Sequence, residues 1–210
     1  LIIFTRYPVA GETKTRLIPA LGEQGAADLQ RAMTERVVAA ARDFCTPSGV
    51  ELVIAYTGAP EEAMADWLGN DLNYLAQSAG DLGNRMHSAL RKSRLAGMER
   101  TVLIGSDCPG ISVSILDKAF RALGERELVL GPTEDGGYYL IGMREAHGEL
   151  FERIAWSTEE VLEQTIAAAE KPGLRFTLLD RLRDIDTPED LPYWTGLKVQ
   201  NTAEKRPSNP

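Results

Sequence analysis

Residues 6–16 carry three cations, Arg6, Lys14 and Arg16, around Gly11 on a chain whose formal net charge is -8. Backbone N–H groups beside a glycine can approach a phosphate closely, while a lysine point charge next to an arginine fork suits phosphoryl oxygens. The GxxxxGK[ST] spacing of a P-loop is absent. On composition alone the stretch could equally be a solvated surface loop. A second candidate is residues 102–110, where an apolar run ends in Ser106, Asp107, Cys108 and Pro109. A carboxylate at a strand's end is what a hard divalent cation takes as a ligand, with phosphates and water completing its shell. The same residues could instead close a turn. No histidine lies near Cys108 in sequence, so it reads as an inert buried thiol.

Residues 131–139 place Glu134 and Asp135 before Gly136 and Gly137. The glycines let a substrate approach the backbone, and the carboxylates can take its hydroxyls. Asp-Gly is also a strong hairpin signal, and the two readings are compatible. In residues 184–191, Thr187, Pro188 and Asp190 read as a capped helix start. That leaves Asp184 and Asp186 unexplained, and either one beside Asp107 would make a two-carboxylate metal site. His87 and His147 lack ligand spacing and read as surface residues. Trp67, Trp156 and Trp194 read as packing.

These motifs need strands to carry them to a common edge. Residues 1–5 form a short apolar run suited to a buried parallel strand, and residues 23–44 have helical apolar spacing. Strands are expected at 51–56, 72–75, 101–105, 128–131 and 138–143, and helices at 60–68, 112–123 and 158–169. Asp81 is expected to cap a helix running to about residue 98, and Ser157 with Glu160 to form a capping box. The alternation predicts an α/β fold, three-layer α/β/α, with a mostly parallel mixed sheet. In such sheets ligands bind beyond the carboxyl ends of the strands, where all four motifs fall.

The 210 residues suit a single domain, expected at 1–197, with a polar and disordered tail at 198–210. The excess of 31 acidic over 23 basic residues argues against a nucleic-acid partner, because an acidic surface repels phosphates. Two cysteines are too few for a disulfide framework, and no apolar run nears the ~20 residues a bilayer requires. A cytoplasmic protein with no membrane partner is expected. Nothing in the sequence sets the oligomeric state.

The strings FTRYPVAGETKTRL, GSDCPG, EDGGYYLIG and DIDTPEDL together resemble the nucleotide-diphospho-sugar transferase superfamily, with its Rossmann-like sheet. The resemblance is closest to a bacterial family of glycosyltransferase-A-like proteins. It extends more distantly to phospholactate guanylyltransferase and the molybdenum-cofactor nucleotidyltransferases. It implies that Arg6, Gly11, Lys14 and Arg16 hold nucleotide phosphates, and that Asp107 and Asp186 bind Mg²⁺ or Mn²⁺. It further implies that Gln77, Gly80, Asp81 and Leu82 meet the nucleobase, and that Glu134, Asp135, Gly136 and Gly137 face the acceptor. The GGxGxR glycine pair of many nucleotidyltransferases is missing, as is the second acid of a DxD motif.

The expected activity is transfer of a nucleoside monophosphate from a nucleoside triphosphate to a small phosphorylated acceptor, releasing pyrophosphate, with Lys14, Arg16 and Asp107 as catalytic residues. An anionic nucleophile needs no general base, which suits a chain rich in Lys, Arg and Asp. The alternatives are glycosyl transfer from a nucleotide sugar and non-catalytic nucleotide binding.

Overall fold

Seven short strands build the centre of the molecule, and alternate residues on each face opposite sides. In β1 (Ile2–Arg6), Ile3 packs toward one helical layer while Ile2 and Phe4 pack toward the other. The same alternation runs through β4 (Thr101–Gly105) and β5 (Leu128–Pro132), whose first four residues are all buried. A strand covered on both faces must be apolar throughout, which is why these segments read as continuous runs. The remaining strands are β2 (Val53–Thr57), β3 (Asn73–Ala76), β6 (Tyr138–Met143) and β7 (Phe176–Leu178), in the order β3-β2-β1-β4-β6-β5-β7. Only β6 runs antiparallel, against both β4 and β5.

In this computed structural model the backbone is described for residues 1–204 and side chains for 1–197. One layer holds α1 (Ile18–Ser48), α2 (Glu61–Leu68) and α4 (Val113–Ala122); the other holds α3 (Leu82–Leu95) and α5 (Val161–Glu170). The three-layer expectation holds. A satellite cluster of Leu17, Ala26, Leu29, Met33, Ile185 and Trp194 joins the start of α1 to α6 (Leu191–Glu204). Among the described residues no helix is long and apolar enough to cross a membrane.

Several boundaries differ from the sequence reading. The first long helix begins early, at Ile18, but Gly22 is non-helical at φ 72, so the regular helix starts where expected, at Glu23. Ser157 does not cap α5: its φ is 68, and Thr158 instead accepts from the Glu160 amide, so the helix begins at Val161. The Thr187–Asp190 capping box does form. The backbone of α6 continues to Glu204, through the first half of the expected disordered tail; residues 205–210 of that tail lie outside the described residues.

Candidate active site

At the carboxyl edge of the sheet, the loops after β1, β3, β4 and β7 meet the β5–β6 hairpin around a cavity of about 820 Å³. Its centre is Lys14, whose backbone is left-handed (φ 50, ψ 47), a conformation a residue with a Cβ adopts only under constraint. The ammonium lies 3.2 Å from Asp107 Oδ2 and 3.3 Å from Asp186 Oδ1, and the side chain is only 6% exposed. Burial alone would lower its pKa. Asp107 and Asp186 outweigh burial and raise it, so the amine stays charged. Arg16, on the exposed rim, donates to the other oxygen of Asp186 at 2.5 Å.

The long-range partners are brought together by buried neighbours. Leu17 and Ile185 are fully buried in the satellite cluster, leaving Arg16 on one side and Asp184 and Asp186 on the other to face the cavity. The Ile185 amide donates to the Asp107 carbonyl at 3.0 Å, and Asp190 receives the amides of Asp186 and Thr187. Behind Asp107, Ser106 joins a buried network in which Gln30 Nε2 donates to Ser106 at 3.0 Å and to Thr34 at 3.1 Å, and Ser106 donates to Thr5. This network locks β1, α1 and β4 together directly beneath the charged groups. Sequence reasoning missed Gln30, whose only local signal is a polar residue on the apolar stripe of α1.

Carboxylates exceed cations around the cavity as a whole. Burial and then the nearby Asp135 push the Asp184 carboxyl up from 3.8 to about 6, with Lys14 partly opposing. Burial, followed by Asp184 and Asp107, pushes the Cys108 thiol well up, so it is no nucleophile at neutral pH. Among the described residues no group of three or more His, Cys, Asp or Glu is arranged to hold a metal ion. Two carboxylates that both grip one cation do fit a hard divalent ion whose remaining ligands come from phosphates and water. Asp107 and Asp186 are therefore the residues that could hold one.

Of the residues singled out in the sequence, Arg6, Lys14, Arg16, Gln77, Leu82, Asp107, Asp135, Gly137 and Asp186 line the cavity. Others do not. Gly11 (φ 82) makes a turn against Glu23, so cavity contact falls to residues 12–16 instead. Gly80 is a left-handed turn packed on Asn84, and the Asp81 carboxylate caps α3 through the Asn84 amide at 2.8 Å. Gln77 reaches the cavity with its amide already committed: it donates to the carbonyls of Thr5 and Ala55 and accepts from Arg85. That ties β1 and β2 to α3 and leaves it little capacity to read a base. Glu134 pairs with Arg183, away from the cavity, and Gly136 is pressed against the backbone of Glu159.

Trp156 was missed. Read from sequence as packing, it lines the cavity with Tyr138, the two rings edge-to-face at 6.5 Å. A lone tryptophan in a loop gave no periodic signal to separate a wall from a core.

The parallel-rich sheet, with cations and carboxylates gathered at its carboxyl edge, has the fold of the nucleotide-diphospho-sugar transferases. More specifically, the chain belongs to the family described as uncharacterized proteins conserved in bacteria, DUF2064, whose model matches residues 37–158. A crystal structure from Desulfovibrio desulfuricans G20, provisionally described as a nucleotide-diphospho-sugar transferase, is 32% identical, with a TM-score of 0.83 over 99% of this chain and 87% of that one. The fold is also shared with 4-diphosphocytidyl-2C-methyl-D-erythritol synthase from Anaerococcus prevotii DSM 20548, at 12% identity and TM-score 0.61 over 94% and 95% of the two chains. Rv0371c from Mycobacterium tuberculosis H37Rv, solved as a manganese complex, shares it at 17% identity and TM-score 0.52 over 91% and 95%. No curated protein matches the chain.

Proposed function

We propose that the protein is a divalent-metal-dependent transferase that grips the phosphates of a nucleotide donor with Lys14 and Arg16. The carrying observation is the buried Lys14 ammonium set between Asp107 and Asp186, with Arg16 beside it and Arg6 on the same rim. A phosphate chain arriving there exchanges carboxylate partners for phosphoryl oxygens on the same cations, while Asp107 and Asp186 are freed to hold Mg²⁺ or Mn²⁺. When bound, such an ion neutralises charge developing on the transferred and leaving phosphoryl oxygens.

The chemistry we favour is nucleotidyl transfer. The acceptor oxygen attacks the α-phosphorus in line, the bond to the β-phosphate oxygen breaks, and pyrophosphate leaves. The acceptor we favour is a hydroxyl rather than the phosphorylated group expected from sequence. The four cations that line the cavity, Arg6, Lys14, Arg16 and Arg85, come from β1, the loop after it and α3, whereas the carboxylates of Asp135, Glu159 and Asp184 come from the β5–β6 hairpin, the loop before α5 and the segment after β7. The nucleophile is then a hydroxyl, and its proton passes to one of those carboxylates. The same carboxylates favour glycosyl transfer as a second reading, because a sugar-nucleotide donor also needs a base at the acceptor.

The two are separated by product. Incubated with Mn²⁺ and a panel of nucleoside triphosphates and nucleotide sugars, the enzyme should release pyrophosphate from a triphosphate; release of a nucleoside diphosphate from a nucleotide sugar would select glycosyl transfer. Neither product over a broad acceptor panel would reject both.

A further inference from the structure

The cavity lining falls into two chemically different sets of residues. The cations come from β1, the loop after it and α3. In the other set, the β5–β6 hairpin and the loop leading into α5 form one wall: the Leu162 amide donates to the Gly136 carbonyl at 2.9 Å, and a Cβ on Gly136 would lie 2.1 Å from the Glu159 carbonyl. No side chain fits between the two segments, so they hold each other in register. Ser157, next to Trp156, is held at φ 68, and Arg153 at φ 58. Left-handed backbone at residues with a Cβ costs of order 1 kcal/mol and persists where the surroundings impose it. Here it fixes where Trp156 stands. Gly83 in the first turn of α3 packs directly against the indole, since a Cβ there would come within 2.5 Å of the ring. Phe151 stacks on the same indole at 6.5 Å and 20°. Below, the floor is apolar, from Phe4, Leu103 and Ile141 of the sheet.

The polar groups on this wall are acceptors or hydroxyls. Asp135, Asp184 and Glu159 border it together with Ser157 and Thr158, and no Lys or Arg of the wall lines the cavity. The arginines after β7 are engaged elsewhere: Arg183 pairs with Glu134, and Arg181 donates to the Thr133 carbonyl. Asp135 Oδ1 is held by Thr133 and the Gly137 amide, leaving Oδ2 for a ligand. A phosphate or carboxylate beside these three carboxylates would meet more like charge than opposite charge, Lys14 being the cation that acts on Asp184. Hydroxyl donors would be satisfied by the carboxylates, which accept and cannot donate. A ring with an apolar C–H face would gain from burial against an indole.

We propose that the Trp156 loop and the β5–β6 hairpin form the acceptor subsite, and that it takes an uncharged polyhydroxylated ring, such as a sugar or cyclitol. The ring lies with its apolar face on Trp156 and donates hydroxyls to Asp135, Asp184 and Glu159. Trp156 is thus a specificity-determining residue, and one hydroxyl of the ring is the nucleophile of the transfer proposed above, on which this inference rests.

The test is direct binding to the full chain by saturation-transfer NMR. The probes are glucose, galactose, mannose and myo-inositol, then glucose 6-phosphate and glucosamine. At least one neutral probe should bind, with glucose 6-phosphate at least tenfold weaker than the best of them. Trp156→Ala should weaken the neutral probe at least tenfold and Trp156→Phe less than threefold. Gly83→Ala, which unseats the indole without touching an acid, should also weaken it. Tighter binding of glucose 6-phosphate, preference for glucosamine, no binding of any probe, or an unaffected Trp156→Ala variant would each overturn the assignment. Calorimetry of a nucleoside triphosphate with Mn²⁺ on the same proteins separates this inference from the one beneath it. Intact nucleotide binding in Trp156→Ala confines a failure to the acceptor subsite, whereas no nucleotide binding by wild type strikes the transferase reading itself.

Discussion

Replacing Lys14 by Met keeps the buried stem and removes the charge, so it isolates what the ammonium does for the two carboxylates. Asp107 Oδ2 and Asp186 Oδ1 lie 3.2 and 3.3 Å from one nitrogen, so they stand no more than about 6.5 Å apart. Two unit negative charges at that separation repel by about 1–3 kcal/mol at an effective dielectric of ~20–40, the range fitting carboxylates that are 51% and 39% exposed. With the ammonium gone this repulsion is unmasked, and the Lys14→Met protein should unfold about 2–10 °C lower at pH 7, at roughly 2–4 °C per kcal/mol for a chain of this size. The loss should shrink in about 1 M salt, which screens the repulsion between partly exposed carboxylates. Added Mn²⁺ should restore more stability to the variant than to wild type, because the ion takes the place the ammonium left. Differential scanning calorimetry at pH 7 in low and high salt, with Mn²⁺ or with EDTA, reads all three. Equal melting temperatures in low salt, or a deficit unchanged by salt, would refute the reasoning.

Other perturbations follow from the same contacts. The folded Asp184 carboxyl titrates at about 6 against 3.8, so the native state holds its proton more tightly than the unfolded chain. Its contribution to stability is full below about pH 4 and is lost as pH rises through 6. Asp184→Asn should therefore gain about 1 kcal/mol at pH 7 in EDTA, after allowing for the solvent-facing half of the carboxyl, and should flatten the pH dependence between 4 and 6 in urea titrations. Ile185→Ala removes a fully buried anchor of the satellite cluster and should cost about 2–4 kcal/mol in the same titrations. Gly136→Ala must push the hairpin off the Glu159 backbone while holding φ 88, and should cost at least ~2 kcal/mol. In turnover, Lys14→Met should lower the rate about 10²- to 10³-fold, as loss of one transition-state charge contact does.

The parts of the fold that could be read in the sequence are those in which a residue's type and its structural role coincide locally. Strands buried on both faces are apolar throughout, so β1, β4 and β5 stand out. Asp81 and the Thr187–Asp190 box cap helices through residues three positions away. β7 is three residues long and pairs only with β5, so too little pattern exists to register it. The Ser157–Glu160 pattern misled because the chain spends that stretch on Trp156 rather than on a cap. At the site, the four motifs carry the charges, but their pairing depends on contacts between residues more than 75 positions apart: Lys14 with Asp107 and Asp186, and Ile185 with the Asp107 carbonyl. The capacity of Gln77 to read a base was likewise spent on neighbours that only the folded chain supplies. Of the proposed acceptor subsite, Asp135 and Gly137 were legible in the sequence, but the aromatic wall was not, since Trp156, Tyr138 and Gly83 come from three separate elements.

The claim that Lys14, Arg16, Asp107 and Asp186 form a metal-assisted phosphate grip is tested most directly by calorimetric titration of a nucleoside triphosphate into wild type and Asp107→Asn, each with Mn²⁺ and with EDTA. Wild type should bind at least tenfold more tightly with Mn²⁺ than without, and Asp107→Asn should lose that difference while still melting cooperatively. Binding that is indifferent to Mn²⁺ in wild type, or equally Mn²⁺-dependent in Asp107→Asn, would contradict it.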